Sequence, residues 1–322
     1  MKILFVSSGN AKNGISSLIY NQGLSLIQDN VSVDFFTIKG KGIKSYVKNI
    51  FLLRNHLKLN HYDIVHSHYS LSSFVAALAM AKPLFVSLMG SDVKSNKIYH
   101  PIIYFFHYFF WSVTIVKSED MKKSIKINKL HIIPNGVNVN KFRELNKKEC
   151  QEKLKWSNNK KHILFGADPL RIEKNFTLAQ KALTILDNKL NYELHYLKDI
   201  SFEDVLLYIN ASDVLLITSF YEGSPNIIKE AMACNCPIVT TNVGDVEWVI
   251  DNTKGCFITT YNPNDIAQKL IKVLNSDKRT DGRKRIIDLG LDSISIAKKL
   301  ISIYNETLNK EKRINILTFQ PK

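Results

Sequence analysis

Two α/β domains, each built on a doubly wound parallel sheet, are what the sequence predicts, and three observations carry the prediction. Short β-branched runs alternate with longer segments of helical period, the pattern of βα units whose sheet is covered on both faces. The alternation stops at a basic, Asn-rich segment, Asn138–Lys148, and then restarts. The 322 residues exceed one ordinary core and suit two.

Taken in order, the first half offers strands at Lys2–Ser7, Val31–Thr37, Ile64–His66, Leu84–Leu88, Val113–Val116 and Leu130–Ile133, with helices around 15–28, 43–59, 71–80, 99–109 and 118–124. The second half offers strands at His162–Gly166, Glu193–Leu197, Asp213–Ile217, Pro237–Thr240 and Cys256–Ile258, with helices near 175–188, 202–210, 225–234, 263–274 and 294–308. A linker at about 134–147 divides a first domain, 1–137, from a second, 138–304; a tail, 305–322, is expected to pack back on the first.

With 45% hydrophobic and 23% charged residues the composition is that of a folded globular chain, which excludes disordered and collagen-like classes. The formal charge of +15 predicts an anionic partner: nucleic acid, acidic lipid or a phosphorylated ligand. Cys150, Cys234, Cys236 and Cys256 form no C-x-x-C pair and stand near no His at zinc spacing, so neither a disulfide framework nor a metal site is expected, and a reducing, cytoplasmic compartment fits. The N-terminal MKILFVSSGN is too short in its apolar run for a signal peptide and reads as the first strand. The most membrane-like stretch, His100 to Val116, falls short of a span and contains His107, so a buried helix followed by a strand is expected there.

The most informative segment runs from Thr218 to Ala233. It follows an apolar strand, turns through Glu222 and Gly223, and enters a helix with Ser224 as N-cap and Pro225 at the first helical position. Backbone N–H groups around that first turn suit a phosphate, those of Gly223, Ser224 and Asn226 as donors and Pro225, which has none, setting the turn between them. Glu230 lies one turn beyond Asn226 on the same face, where its carboxylate can accept from vicinal hydroxyls such as those of a ribose. Arg171 and Lys174 occupy the loop between the strand at 162–166 and the next helix, as two cations able to support a leaving diphosphate. In the first half, Gly14 ends a glycine loop after strand one; Gly90 and Asp92 follow the strand at 84–88, Asp92 serving either the ligand or the next helix as a cap. His66 and His68 alternate on one strand and point the same way; His68 is read as lining the binding cleft rather than holding metal.

These residues resemble the retaining glycosyltransferases of family 4, whose GT-B fold sets two Rossmann-like domains face to face across a cleft. The likeness rests on a Glu-x7-Glu motif, Glu222 and Glu230, within EGSPNIIKEAMACNCPIVTTNVGDVEWVI, and on IIPNGVNVNKF (132–142), FGADPLRIEKNF (165–176), DIVHSHYS (63–70) and SLMGSDV (87–93). The resemblance implies that Glu230 holds the donor ribose, Glu222 faces the donor sugar, and Arg171 and Lys174 neutralise the diphosphate of a UDP- or GDP-linked sugar. It also implies metal-independent transfer by front-face attack, the departing phosphate accepting the acceptor's proton; no Asp-x-Asp occurs. Three departures stand out. Met89 replaces a histidine often found before the Gly-x-Asp turn, Arg171 comes later than the family's arginine, and the chain after Leu197 is short of the loop that often frames the base.

A glycan or lipid-linked acceptor follows from the same likeness. Lys41, Lys44, Lys48, Arg54 and Lys58 around a stripe of Ile43, Val47, Ile50, Phe51 and Leu57 suggest a helix lying on anionic lipid at the inner face of the membrane, against the plainer reading of a core-packed helix with solvated lysines. Two rival functions are a sugar-nucleotide epimerase of the same fold, which needs no acceptor, and a nucleic-acid-binding protein, which lacks a basic run interleaved with aromatics.

Overall fold

In a computed structural model the described residues are 1–11, 14–95, 97–186, 190–276 and 278–318. They form two compact units: Met1–Gly136 together with the helix that starts at Ser293, and Val137–Asp292.

The first unit carries a sheet of β1 (Lys2–Ser8), β2 (Ser32–Ile38), β3 (Ile64–His68), β4 (Leu84–Ser87), β5 (Val113–Val116) and β6 (His131–Ile132), in the order β2-β1-β3-β4-β5-β6. Every pairing is parallel. Ile3, Leu4, Phe5 and Val6 are completely buried, as an unbroken apolar run must be when helices cover both faces of its strand. The second sheet contains β7 (Lys161–Phe165), β8 (Tyr192–Tyr196), β9 (Val214–Ile217), β10 (Ile238–Thr241) and β11 (Cys256–Thr259), ordered β11-β10-β9-β7-β8 and likewise parallel. β9, with four buried aliphatic residues, lies at the centre, while β8, with the mixed sequence YELHY, forms an edge. Parallel strands leave their connecting loops at the carboxyl ends, which is where the motif residues of each unit fall.

Several helices begin at the caps that their sequences offer. Ser16 accepts from the Ile19 N–H, Ser118 from Met121, and Asn262 from Asn264. Four helices were not anticipated: Lys147–Leu154, inside a segment too poor in apolar residues to show a period, and the short Ser91–Lys94, Val246–Ile250 and Gly282–Asp288.

The second boundary differs from the expected 304/305. The helix Ser293–Thr318 belongs to the first unit from its start, because Ile296, Ala297, Leu300 and Tyr304 are buried there. The Tyr304 hydroxyl lies 2.5 Å from His66 Nδ1, and its ring meets Phe85 edge-on at 4.9 Å. A Cβ on Gly136 would stand 2.7 Å from Ser293 Cα, so the return crossing runs directly against the first. Residues 319–322 of the expected tail lie outside the described residues.

The helix His100–Phe109 precedes β5 but is not the buried helix expected. Ile103 and Phe106 enter the core, whereas Ile102, Phe105, Tyr108 and Phe109 are exposed. Its apolar side chains are spread around the helix, and packing against the unit through one face buries only part of them. No helix among the described residues is long and apolar enough to cross a membrane. The four cysteines are buried and unbridged.

Candidate functional site

In the second unit, β9 delivers the chain to Thr218, and the loop 218–225 leads into the helix Asn226–Ala233. The neighbouring loop after β7 is fastened to it at two points. The single Thr218 hydroxyl proton is shared between the carbonyls of Lys174 and Asn175, 3.1 and 2.9 Å from Oγ1, and the Phe220 N–H donates to the Glu173 carbonyl at 3.0 Å. That stitching carries Lys174 to Glu222: Nζ donates to Oε1 at 2.5 Å, and Ser219 Oγ donates to the same oxygen at 2.8 Å. Both side chains of the pair are mostly shielded, with 13% and 16% of their surface exposed. Arg171, on the same loop, is instead 57% exposed and paired with Glu173. Of the two cations expected side by side, one is therefore committed to Glu222 and the other, largely exposed, to Glu173.

Glu230 follows on the helix that begins at Asn226. Burial pushes its carboxyl up to about 7, with the Lys141 and Lys229 ammoniums pulling the other way. Among the described residues none donates a hydrogen bond to that carboxylate, so its oxygens are free to accept. Asn226 Oδ1, at the helix start, is buried and unpartnered as well.

The helix start differs from expectation in one respect. Pro225, not Ser224, occupies the N-cap, and no side chain caps the helix. Ser224 Oγ donates at 2.6 Å to Asp245 Oδ2 and accepts from the buried Lys229, whose Nζ lies 3.7 Å from the same oxygen. A hydroxyl drawn into a buried ion pair cannot turn back to a helix N–H. Gly244 brings this layer close: its φ is +64°, and a Cβ there would meet the Gly223 carbonyl oxygen at 2.8 Å. Lys229 and Asp245 were not singled out in the sequence, although both lie inside the matching block; an apolar helix face interrupted by a lysine, Ile228 to Met232, was the available signal.

The first unit places its expected residues differently. Gly14 has φ +82° and open space where a Cβ would stand, as an accessible loop requires; Asn13 lies outside the described residues. Asp92 is buried and fully used. Its oxygens accept from the N–H groups of Met89 at 3.0 Å, Gly90 at 2.9 Å and Ser70 at 3.1 Å, which also occupies the Gly90 N–H. The cap expected for the next helix is not formed; Asp92 instead holds its own turn and the start of the preceding helix, Ser70–Leu78. His68 is wholly buried rather than lining an open surface; its Nε2 faces Gln22 Oε1 at 3.0 Å, and burial lowers it to about 3. It stacks on His66, ring centroids 4.4 Å apart, as the alternation on β3 requires. Beside them Lys117, also buried, donates to Ser87 Oγ.

The model for glycosyl transferases group 1 matches residues 147–276, and the model for glycosyltransferase family 4 matches 13–141. An uncharacterized glycosyltransferase of Methanocaldococcus jannaschii is 26% identical over 74% of this chain and 73% of its own length. A UDP-Gal:α-D-GlcNAc-diphosphoundecaprenol α-1,3-galactosyltransferase of Escherichia coli is 24% identical over 72% and 71%. In fold, the chain is similar to Anabaena HepE in complex with UDP-glucose, with a TM-score of 0.71, 16% identity, and coverage of 96% of this chain and 100% of that one.

Proposed function

The chain belongs to the family 4, group 1 glycosyltransferases and has their GT-B type of fold, and from that premise we propose that it moves a sugar, with retention of configuration, from a nucleotide-diphosphate sugar to a glycan or lipid-linked acceptor. The observation that carries the reading is the Lys174–Glu222 pair beside the helix that presents the free carboxylate of Glu230. Glu230 accepts from the two ribose hydroxyls. The helix start at Asn226, with Gly223, Ser224 and Pro225 before it, receives the diphosphate on backbone N–H groups and the positive end of the helix dipole. Lys174 turns from Glu222 toward the leaving diphosphate as charge develops there, joined by Arg171 from solvent, and no metal ion takes part. Glu222, released, faces the sugar. The attacking acceptor hydroxyl passes its proton to the leaving phosphate, so no carboxylate nucleophile is required. The E. coli relative's name specifies a UDP-sugar donor and a diphosphoundecaprenol acceptor, which supports a lipid-linked acceptor in polysaccharide or glycolipid synthesis for this chain too.

Steady-state kinetics on two variants test the roles. Glu230→Ala raises the donor KM with kcat little changed, whereas Lys174→Ala lowers kcat by about 100- to 1,000-fold, the usual loss when a transition-state charge partner is removed. Wild-type kinetics in either variant removes that residue from the mechanism.

A lipid acceptor would bring the enzyme to a membrane surface, and the exposed face of the helix Ile43–Leu59 is the surface proposed for it. Leu53 is buried and Ile50 and Leu57 pack on the core, so the expected stripe divides: Ile43, Val47 and Phe51, one turn apart, remain exposed beside Lys44, Lys48 and Arg54. Sedimentation with anionic liposomes shows binding that weakens with salt; no binding at low salt rejects the surface role.

A further inference from the structure

A second cluster lies on the edge of the second sheet and shares no residue with the Glu222 site. On β7, His162 pairs in register with Glu193 of β8, and His195 lies two residues farther along β8, so all three side chains leave the same face of the sheet. His162 Nδ1 is 2.9 Å from His195 Nε2 and 3.7 Å from Glu193 Oε2, and the last two atoms are 4.0 Å apart. A tetrahedral ion with bonds of about 2.0–2.2 Å needs donors roughly 3.3–3.6 Å apart, so closing on one takes shifts of a few tenths of an ångström.

Each donor is aimed by a neighbour. His162 Nε2 lies 2.7 Å from the Ser157 carbonyl oxygen, which can only accept, so Nε2 carries the proton and the Nδ1 lone pair accepts the His195 Nε2–H at 2.9 Å; a bound Zn²⁺ takes the place of that proton, His195 then carrying its own on Nδ1. The Trp156 ring stacks flat on His195, at an interplanar angle of 6°. Lys160 donates to Glu193 Oε1 at 2.9 Å, leaving Oε2 turned to the imidazoles. His162 is buried, while His195 and Glu193 are partly open, which leaves a side for a water as fourth ligand.

We propose that His162, Glu193 and His195 bind one Zn²⁺, which ties the edge strand β8 to β7. Two imidazoles and a carboxylate suit zinc among divalent ions, and the converging, second-neighbour-oriented donors distinguish this group from a chance surface cluster. The role is structural. Its test is independent of the transferase reading, since it is scored by binding alone.

The full chain, stripped with a chelator, is titrated with Zn²⁺ against a chromophoric competitor. One Zn²⁺ per chain is expected, with affinity falling at least tenfold in Glu193→Gln and in His195→Ala, and a rise in unfolding temperature with Zn²⁺ in the wild type alone. X-ray absorption of the Zn²⁺-loaded wild type guards against a misfolded variant and is expected to show two imidazole ligands. Absence of stoichiometric binding, affinity unchanged by both substitutions, or a zinc shell with fewer than two imidazoles overturns the proposal.

Discussion

Glu230 is the residue whose chemistry reaches furthest beyond its position. Its carboxyl is pushed up to about 7, above the unfolded value of 4.5, so the folded chain favours the protonated form. The contribution to stability is fully present below pH 4.5 and is lost as pH rises through about 7. The donor binding proposed for Glu230 runs the other way, because the ionised carboxylate is the stronger acceptor for ribose hydroxyls. Calorimetric titration of the nucleotide against pH should show affinity rising through pH 7, with a flat profile in Glu230→Gln; a pH-independent wild type contradicts the assignment. Hydrogen bonds to a charged group contribute about 1.5–3 kcal/mol, so Glu230→Ala should weaken nucleotide binding about 10- to 100-fold. Asp92 makes the opposite point. It stands after a strand, in a motif matching the family, and its oxygens are nonetheless taken up by the N–H groups of Ser70, Met89 and Gly90. The sequence shows where that carboxylate stands along the chain and not which N–H groups surround it.

At the level of elements, strands were the most legible part of the sequence, because a parallel strand covered on both faces is a short, unbroken apolar run. The expected Val113–Val116 is observed without change, and Glu193–Leu197 is shifted by one residue to Tyr192–Tyr196. Helices with little to bury were not legible. Lys147–Leu154 buries only Cys150 and Gln151, too little to set a period in the sequence. The helix Asn226–Ala233 was legible in extent but not in its start, since the partner that claims Ser224, Asp245, sits 21 residues away across a turn. The His162, Glu193 and His195 cluster was missed for a related reason: Glu-x-His on one strand places both side chains on one face, but the pairing of β8 with β7 decides that His162 joins them. The buried Lys229 and Asp245 link the helix Asn226–Ala233 to the Gly244 turn, so Asp245→Ala breaks a buried ion pair from one side, at a cost of about 3–5 kcal/mol. Urea denaturation should show that loss as a lower midpoint at unchanged slope; a wild-type midpoint would mean that the pair does not hold the turn.

For the molecule as a whole, the two-unit division follows from the restart of the strand pattern, but its second boundary does not, because the helix from Ser293 has no sequence mark of the unit it joins. Only the burial of Ile296, Ala297, Leu300 and Tyr304 beside His66 and Phe85 assigns it. A chain ending at residue 292 should therefore lose cooperative unfolding of the first unit, and one ending at residue 310 should retain it, as followed by circular dichroism; equal melting of both would return the boundary to 304. Under the proposed function, part of the charge of +15 serves a diphosphate, at Lys174 and Arg171, and part anionic lipid, at Lys44, Lys48 and Arg54. The central claim, retaining transfer from a nucleotide sugar, is tested most directly by incubating the purified chain with α-linked UDP- and GDP-sugars and a polyprenyl-diphosphate sugar, then reading the new linkage by NMR. The account predicts an α-linked product whose rate of formation falls about 100- to 1,000-fold in Lys174→Ala. A β-linked product, or a sugar nucleotide epimerised with the acceptor untouched, contradicts it.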